Sequence, residues 1–233
     1  MSPVEVGRKE ARPRESGLMN VAAGLVGLLA GVAAGPLADR LATNAPAGKA
    51  LLASAHRSRW LPLLAAATGA LGAACGAVYG FTLEALIAGL FCFVLVVVTR
   101  TDLERRVIPN RIVVPGLVAM LVLRTIDDPS VVWLASALAA GTLLFVAALV
   151  YPPGMGMGDV KFAAFLGAGL GAAVAVALFL GFVSALVPSI ALLVRYGRAA
   201  RKRAIPLGPF LALGGVVALF AGDAIVDWYV GIR

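Results

Sequence analysis

Apolar residues run through this chain in long blocks, and the polar residues gather between the blocks rather than alternating with them. Blocks fall at 18–38, 61–80, 83–101, 108–124 and 131–150, with a last one at 205–225. At 1.5 Å per residue, a helix of about 20 residues crosses a hydrocarbon core of about 30 Å. The period-two alternation of a membrane β-barrel is missing, and an open sheet cannot satisfy its backbone in lipid. Residues 162–194 carry no charge at all. As one helix they would be about 50 Å long, too much for a single crossing. The glycines of GAGLG at 167–171 mark the place to break, giving a short helix from about 160 and a full one over 173–195. The pattern predicts an all-α, polytopic membrane protein with about eight transmembrane helices.

Composition agrees: 61% of the 233 residues are hydrophobic and 14% are charged, unlike a soluble domain. The net charge of +8 changes the picture only through its placement. Basic residues form short blocks between apolar runs, as in cytoplasmic loops, and not a groove that tracks phosphates. The partner this implies is the lipid bilayer, not nucleic acid. If the first span runs inward, segments 39–60, 99–111, 151–161 and 195–204 face the cytoplasm and hold 14 of the 20 Lys and Arg residues. Both termini then face away from the cytoplasm. Trp60, Tyr79, Tyr151, Tyr196, Trp228 and Tyr229 lie near span ends, where interfacial aromatics belong. Residues 1–17 read as a polar tail. The first apolar block has no clear small-x-small cleavage site, so it reads as a retained span. The only cysteines, Cys75 and Cys92, lie in apolar runs without a CxxC pair. They read as small buried residues, with no structural zinc or disulfide framework.

Candidate chemistry rests on the 12 acidic residues. Most lie in the tail, in the loop of Asp127 and Asp128, or at span ends, as do Asp39, Glu84, Asp223 and Asp227. Asp102 and Asp159 stand apart. Asp102 follows the uncharged run 85–99, and Asp159 begins the helix at about 160, both at the cytoplasmic boundary by the charge count. Two carboxylates from different spans at one depth can approach each other, and then both cannot ionise cheaply. Such a pair can hold a water, one member acting as base and the other as acid to a carbonyl oxygen. Gly154, Gly156 and Gly158 clear side chains from around Asp159 and permit positive φ. A flexible loop with Asp159 as the helix N-cap accounts for the same residues without chemistry.

TDLERRVIPN with Asp102, followed 57 residues later by Asp159 in GMGDVK, resembles the two signature motifs of the type IV prepilin peptidases, membrane aspartyl proteases of the GxGD class. IPLGPFLALGG at 205–215 is similar to the segment that opens the last helix of that family. The resemblance covers roughly 83–220. It implies a single membrane peptidase domain over 18–230, in the inner membrane with its active site toward the cytoplasm. The implied activity is removal of the leader from prepilins or pseudopilins, with pilus or secretion machinery as a further partner. Asp102 and Asp159 carry over as the catalytic pair and Gly156 and Gly158 as the GxGD glycines. Lys161 fits the family pattern, either tuning the pair or reaching lipid headgroups. Pro109 and Asn110 match its IPN segment, where Asn110 reads as an N-cap of the fourth helix. No cofactor or metal is implied.

One departure matters. Many bacterial members carry two CxxC pairs in a cytoplasmic domain between their first helices and also N-methylate the new terminus. Here that region is only about 39–60 and lacks cysteine, and His56 reads as a solvated loop residue. Methyltransferase activity is therefore expected to be reduced or absent. A cation-coupled transporter using the paired Asp residues, or an inactive pilus-assembly platform, are rival readings. In the peptidase reading, Gly167, Gly169 and Gly171 let a substrate helix approach closely. They serve equally to pack the protein's own helices.

Overall fold

A computed structural model describes residues 17–43, 60–150, 155–197 and 205–231. Among these residues there are eight α-helices and no strand: α1 (Gly17–Thr43), α2 (Leu61–Tyr79), α3 (Leu83–Arg105), α4 (Asn110–Asp127), α5 (Val131–Val150), α6 (Met157–Leu170), α7 (Val174–Tyr196) and α8 (Gly208–Gly231). A single 3₁₀ turn, Gly171–Ala173, joins α6 to α7. The uncharged stretch thus breaks where GAGLG predicts, and it breaks on a glycine. Gly171 has φ +57, in the left-handed region that a side chain resists. The protein is an all-α, multi-pass membrane protein. Among the described residues, six stretches are long and apolar enough to cross a membrane, with 157–196 counting as one run of 40 residues. α4 falls outside that set because Arg111, Arg124 and Asp127 charge its eighteen residues.

Several boundaries differ from expectation. α1 continues past residue 38 to Thr43, so the start of the expected 39–60 loop is helical. Residues 44–59, including His56, lie outside the described residues, as do Tyr151, Gly154 and all of the expected 1–17 tail except Gly17, which begins α1. α6 begins at Met157 rather than 160, and α4 at Asn110 rather than 108.

Small residues decide how the helices meet. α1 and α2 pack backbone to backbone: a Cβ on Gly27 would run into the Gly72 carbonyl, and one on Gly31 into the Thr68 carbonyl. Such seams hold membrane helices together by van der Waals contact, since lipid offers no hydrophobic drive. Gly167 meets the Ser136 carbonyl of α5, Gly169 meets the Phe91 ring of α3, and Gly171 meets Trp133. All three are buried. They are used in the protein's own packing and offer no seat to a substrate helix. α3 and α6 form the centre. Phe91 stacks on Phe165 at 5.1 Å, Phe165 faces Phe162 at 6.1 Å, and Gly116 of α4 makes room for Phe165. Cys75 of α2 and Cys92 of α3 are both buried, with their Sγ atoms 3.9 Å apart.

The two ends of the bundle differ in chemistry. At one end, buried Arg124 donates from Nε to the Gly169 carbonyl at 3.0 Å. Its guanidinium lies 4.8 Å from the Trp133 ring centroid and 4.0 Å from Glu84. The other end collects the last turn of α3 and the starts of α4, α6 and α8, and with them the candidate chemistry.

Candidate active site

α3 ends because Arg106 turns left-handed, with φ 53 and ψ 41, while its N–H returns to the Asp102 carbonyl at 2.9 Å. A non-glycine residue in this region is uncommon. Pro109 then holds extended backbone (φ −76, ψ 115), and its carbonyl accepts from Ile112 and Val113 at 3.0 and 3.1 Å to start α4. Pro109 is therefore the N-cap residue. Asn110, expected to cap this helix with its side chain, is instead its first residue, and its Oδ1 accepts from Lys161 Nζ at 3.1 Å. Lys161 and Asn110 thus tie the start of α6 to the start of α4. The described hydrogen bond of Lys161 goes to this amide rather than to a carboxylate.

Asp102 lies in the last turn of α3 and is 5% exposed. Its Oδ2 accepts the backbone N–H of Gly208, the first residue of α8, at 2.8 Å. A buried carboxylate needs such a donor, since an unpaired one is costly.

Asp159 is not the N-cap of α6. Gly156 takes that place, and Asp159 is the third helical residue, its Oδ2 accepting the Gly156 N–H at 3.1 Å. The side chain reaches back one turn to a donor the helix cannot satisfy itself, the acidic half of a capping box. Two of the expected glycine roles change with this. Gly156 has φ −85, and Gly158 lies within α6, outside the positive-φ set of Gly80, Gly171 and Gly197. What Gly158 supplies is space, because a Cβ there would stand 2.9 Å from Ile108 Cβ. The IPN segment therefore presses directly on the start of α6. Ile108 lies six residues after Asp102 and Gly158 directly precedes Asp159, so this contact brings the end of α3 and the start of α6 to the same end of the bundle.

Two further residues shape this end and carried only weak signals. Gly208 lies inside IPLGPF, but nothing in that string says which N–H meets a carboxylate. Arg100, two residues before Asp102, is 3% exposed. It pairs with Asp39 of α1 at 3.6 Å and with Glu104, and it lies 5.0 Å from the Trp60 ring centroid. The i,i+4 spacing of Arg100 and Glu104 was visible in sequence. The reach to Asp39 and Trp60 was not. Beside Arg100 is an apolar cavity of about 250 Å³, whose lining includes Trp60, Leu103 and Pro209, the neighbour of Gly208.

Two carboxylates on separate helices, each holding one oxygen on a backbone N–H, can share a water and pass protons in opposite directions. The model of the type IV leader peptidase family matches residues 89–190, a span that contains both. A prepilin leader peptidase/N-methyltransferase of Bacillus subtilis is 34% identical over 184 residues, covering 75% of this chain and 72% of that protein. Proteins of the same description from Legionella pneumophila and Pseudomonas aeruginosa are 32% and 30% identical. They cover 66% and 84% of this chain, and 56% and 69% of their own lengths. No solved structure matches the chain.

Proposed function

The chain belongs to the type IV leader peptidase family, and on that premise we propose that it is an aspartic-type endopeptidase cutting the leader from prepilin or pilin-like precursors. Asp102 and Asp159 are its catalytic pair. The observation that carries this reading is that the end of α3, with Asp102, and the start of α6, with Asp159, lie at one end of the bundle, linked through Ile108 packed against Gly158. One carboxylate takes a proton from water as the water oxygen bonds to the scissile carbonyl carbon. The other gives its proton to the carbonyl oxygen. The tetrahedral intermediate collapses, the C–N bond breaks, and the leaving nitrogen gains a proton. No covalent enzyme intermediate is required.

The site faces the cytoplasm in a multi-pass inner-membrane protein, a placement supported by the basic residues between spans. The methyltransferase activity that the relatives' names also carry is expected to be reduced or absent. With two cysteines in the whole chain, both buried in the bundle, a zinc-held domain with two CxxC pairs cannot form. Gly156, Gly158, Lys161, Pro109 and Asn110 support the loops around the pair rather than the chemistry.

The test is co-expression with a pilin-like precursor that carries a Gly before its long apolar run, following precursor size and N-terminal mass. Wild type is expected to yield the shortened form with little or no methylation of its terminus, and Asp102→Asn and Asp159→Asn only the precursor. Processing that persists in either variant overturns the catalytic assignment.

A further inference from the structure

A helix's first N–H groups have no partner within the helix, so they bind whatever acceptor the fold presents. At the start of α8 that acceptor is a carboxylate. The Gly208 N–H meets Asp102 Oδ2 at 2.8 Å in a buried bond between positions 106 apart in sequence. The approach leaves no room for a side chain: a Cβ at 208 would stand 2.8 Å from Oδ2 and 3.2 Å from both Cβ and Cγ of Asp102. Glycine is needed here for its missing Cβ and not for its φ, which lies outside the positive set.

The donor is rigid. The Leu207 carbonyl accepts from both Phe210 and Leu211 at 3.1 Å, closing the first turn of α8 around Gly208. Further along, Leu211 is fully buried, Gly214 meets the Ala177 carbonyl of α7, and Gly215 meets Leu166 and Leu95. Asp159, by contrast, is held by an exposed bond from a residue three positions away. Only Asp102 is oriented by a helix remote in sequence.

The geometry points to Gly208 as a positioning residue of the cleavage reaction, whose N–H holds Oδ2 of Asp102 and leaves Oδ1 to exchange the proton. This rests on the reading of Asp102 as half of the catalytic pair. It makes the seat of α8 a determinant of rate, although α8 supplies no reacting group. A displacement of about 1 Å at a reacting group can cost about a hundredfold in rate.

The test uses the full chain in lipid nanodiscs, with ¹⁵N-glycine labelling and a purified pilin-like precursor as substrate. In wild type the Gly208 amide proton should be shifted downfield and should titrate with pH, and Asp102→Asn should abolish that titration. Gly208→Ala should lower kcat by about a hundredfold, leave KM little changed and displace the pH profile of kcat. Gly215→Ala crowds Leu166 and Leu95 without touching either carboxylate, so it should move Tm but not the pH profile. A Gly208 amide indifferent to Asp102→Asn overturns the inference even if Gly208→Ala fails to fold. So does a folded Gly208→Ala with wild-type kcat and pH profile. If Asp102→Asn itself cleaves, the catalytic reading falls and the positioning role with it, while the amide titration still reports the hydrogen bond.

Discussion

Lys161 Nζ donates to Asn110 Oδ1 at 3.1 Å, joining the fifth residue of α6 to the first residue of α4 across 51 positions of sequence. The bond lies at the exposed rim of the site, so its worth to stability is small, below about 1 kcal/mol. Its effect on geometry is larger, because Asp159 is the third residue of α6, two positions before Lys161. Lys161→Ala and Asn110→Ala should each slow cleavage by similar factors, and the double variant by no more than either alone. A double-mutant cycle on kcat/KM checks this. Additive losses would mean that the two residues act independently.

The two glycines of GMGD should behave differently. A Cβ on Gly156 would lie 3.4 Å from Asp159 Oδ2, ordinary contact, whereas one on Gly158 would press to 2.9 Å on Ile108 Cβ. Gly158→Ala is therefore expected to destabilise the protein by about 1–3 kcal/mol and to cut activity severely. Gly156→Ala should fold as wild type and keep more of its activity. Thermal unfolding and precursor processing, measured side by side, give the comparison.

At the opposite end, Arg124 serves three partners at once: the Gly169 carbonyl, Glu84 and the Trp133 ring. Arg124→Ala leaves a buried carbonyl without its donor and uncovers the ring, a loss of about 2–3 kcal/mol. Arg124→Lys should recover little, because an ammonium lacks the planar fork that serves several partners together. The expected readout is a lowered Tm in both variants, with cleavage by the folded fraction retained.

The seam between α1 and α2 depends on missing side chains. Gly27 and Gly72 each stand where a Cβ would strike the other's carbonyl, and Gly76 does the same to Ala23. Gly72→Leu should separate the two helices and lower accumulation in the membrane, whereas Gly89→Ala, with open space around its Cβ position, should accumulate normally. Immunoblotting of membrane fractions distinguishes the two. Equal accumulation would mean that the seam contributes nothing to assembly.

Much of the architecture was legible because membrane spanning is a one-dimensional property. Length, apolarity and charge placement are local, and the backbone must satisfy itself within each helix. The break at Gly171 was legible for the same reason, since an uncharged stretch too long for one crossing must turn somewhere. Helix starts were less legible. Asp159 and Asn110 both looked like N-caps, yet Gly156 and Pro109 hold those places, because a cap is set by backbone angles as well as by side-chain type.

The amino-acid sequence by itself determined that this protein is helical and membrane-bound, and it carried the motifs that named Asp102, Asp159 and their neighbours. Only the tertiary structure decided what those residues touch. The roles of Gly158, Gly167, Gly169 and Gly208 are set by which segment arrives opposite each one, and no local pattern encodes that arrival. The same holds for Arg100 between Asp39 and Trp60, and for Asp102, whose hydrogen-bond donor comes from a helix 106 residues away. Contacts between helices depend on the mutual fit of whole surfaces, so they emerge only once the bundle is assembled.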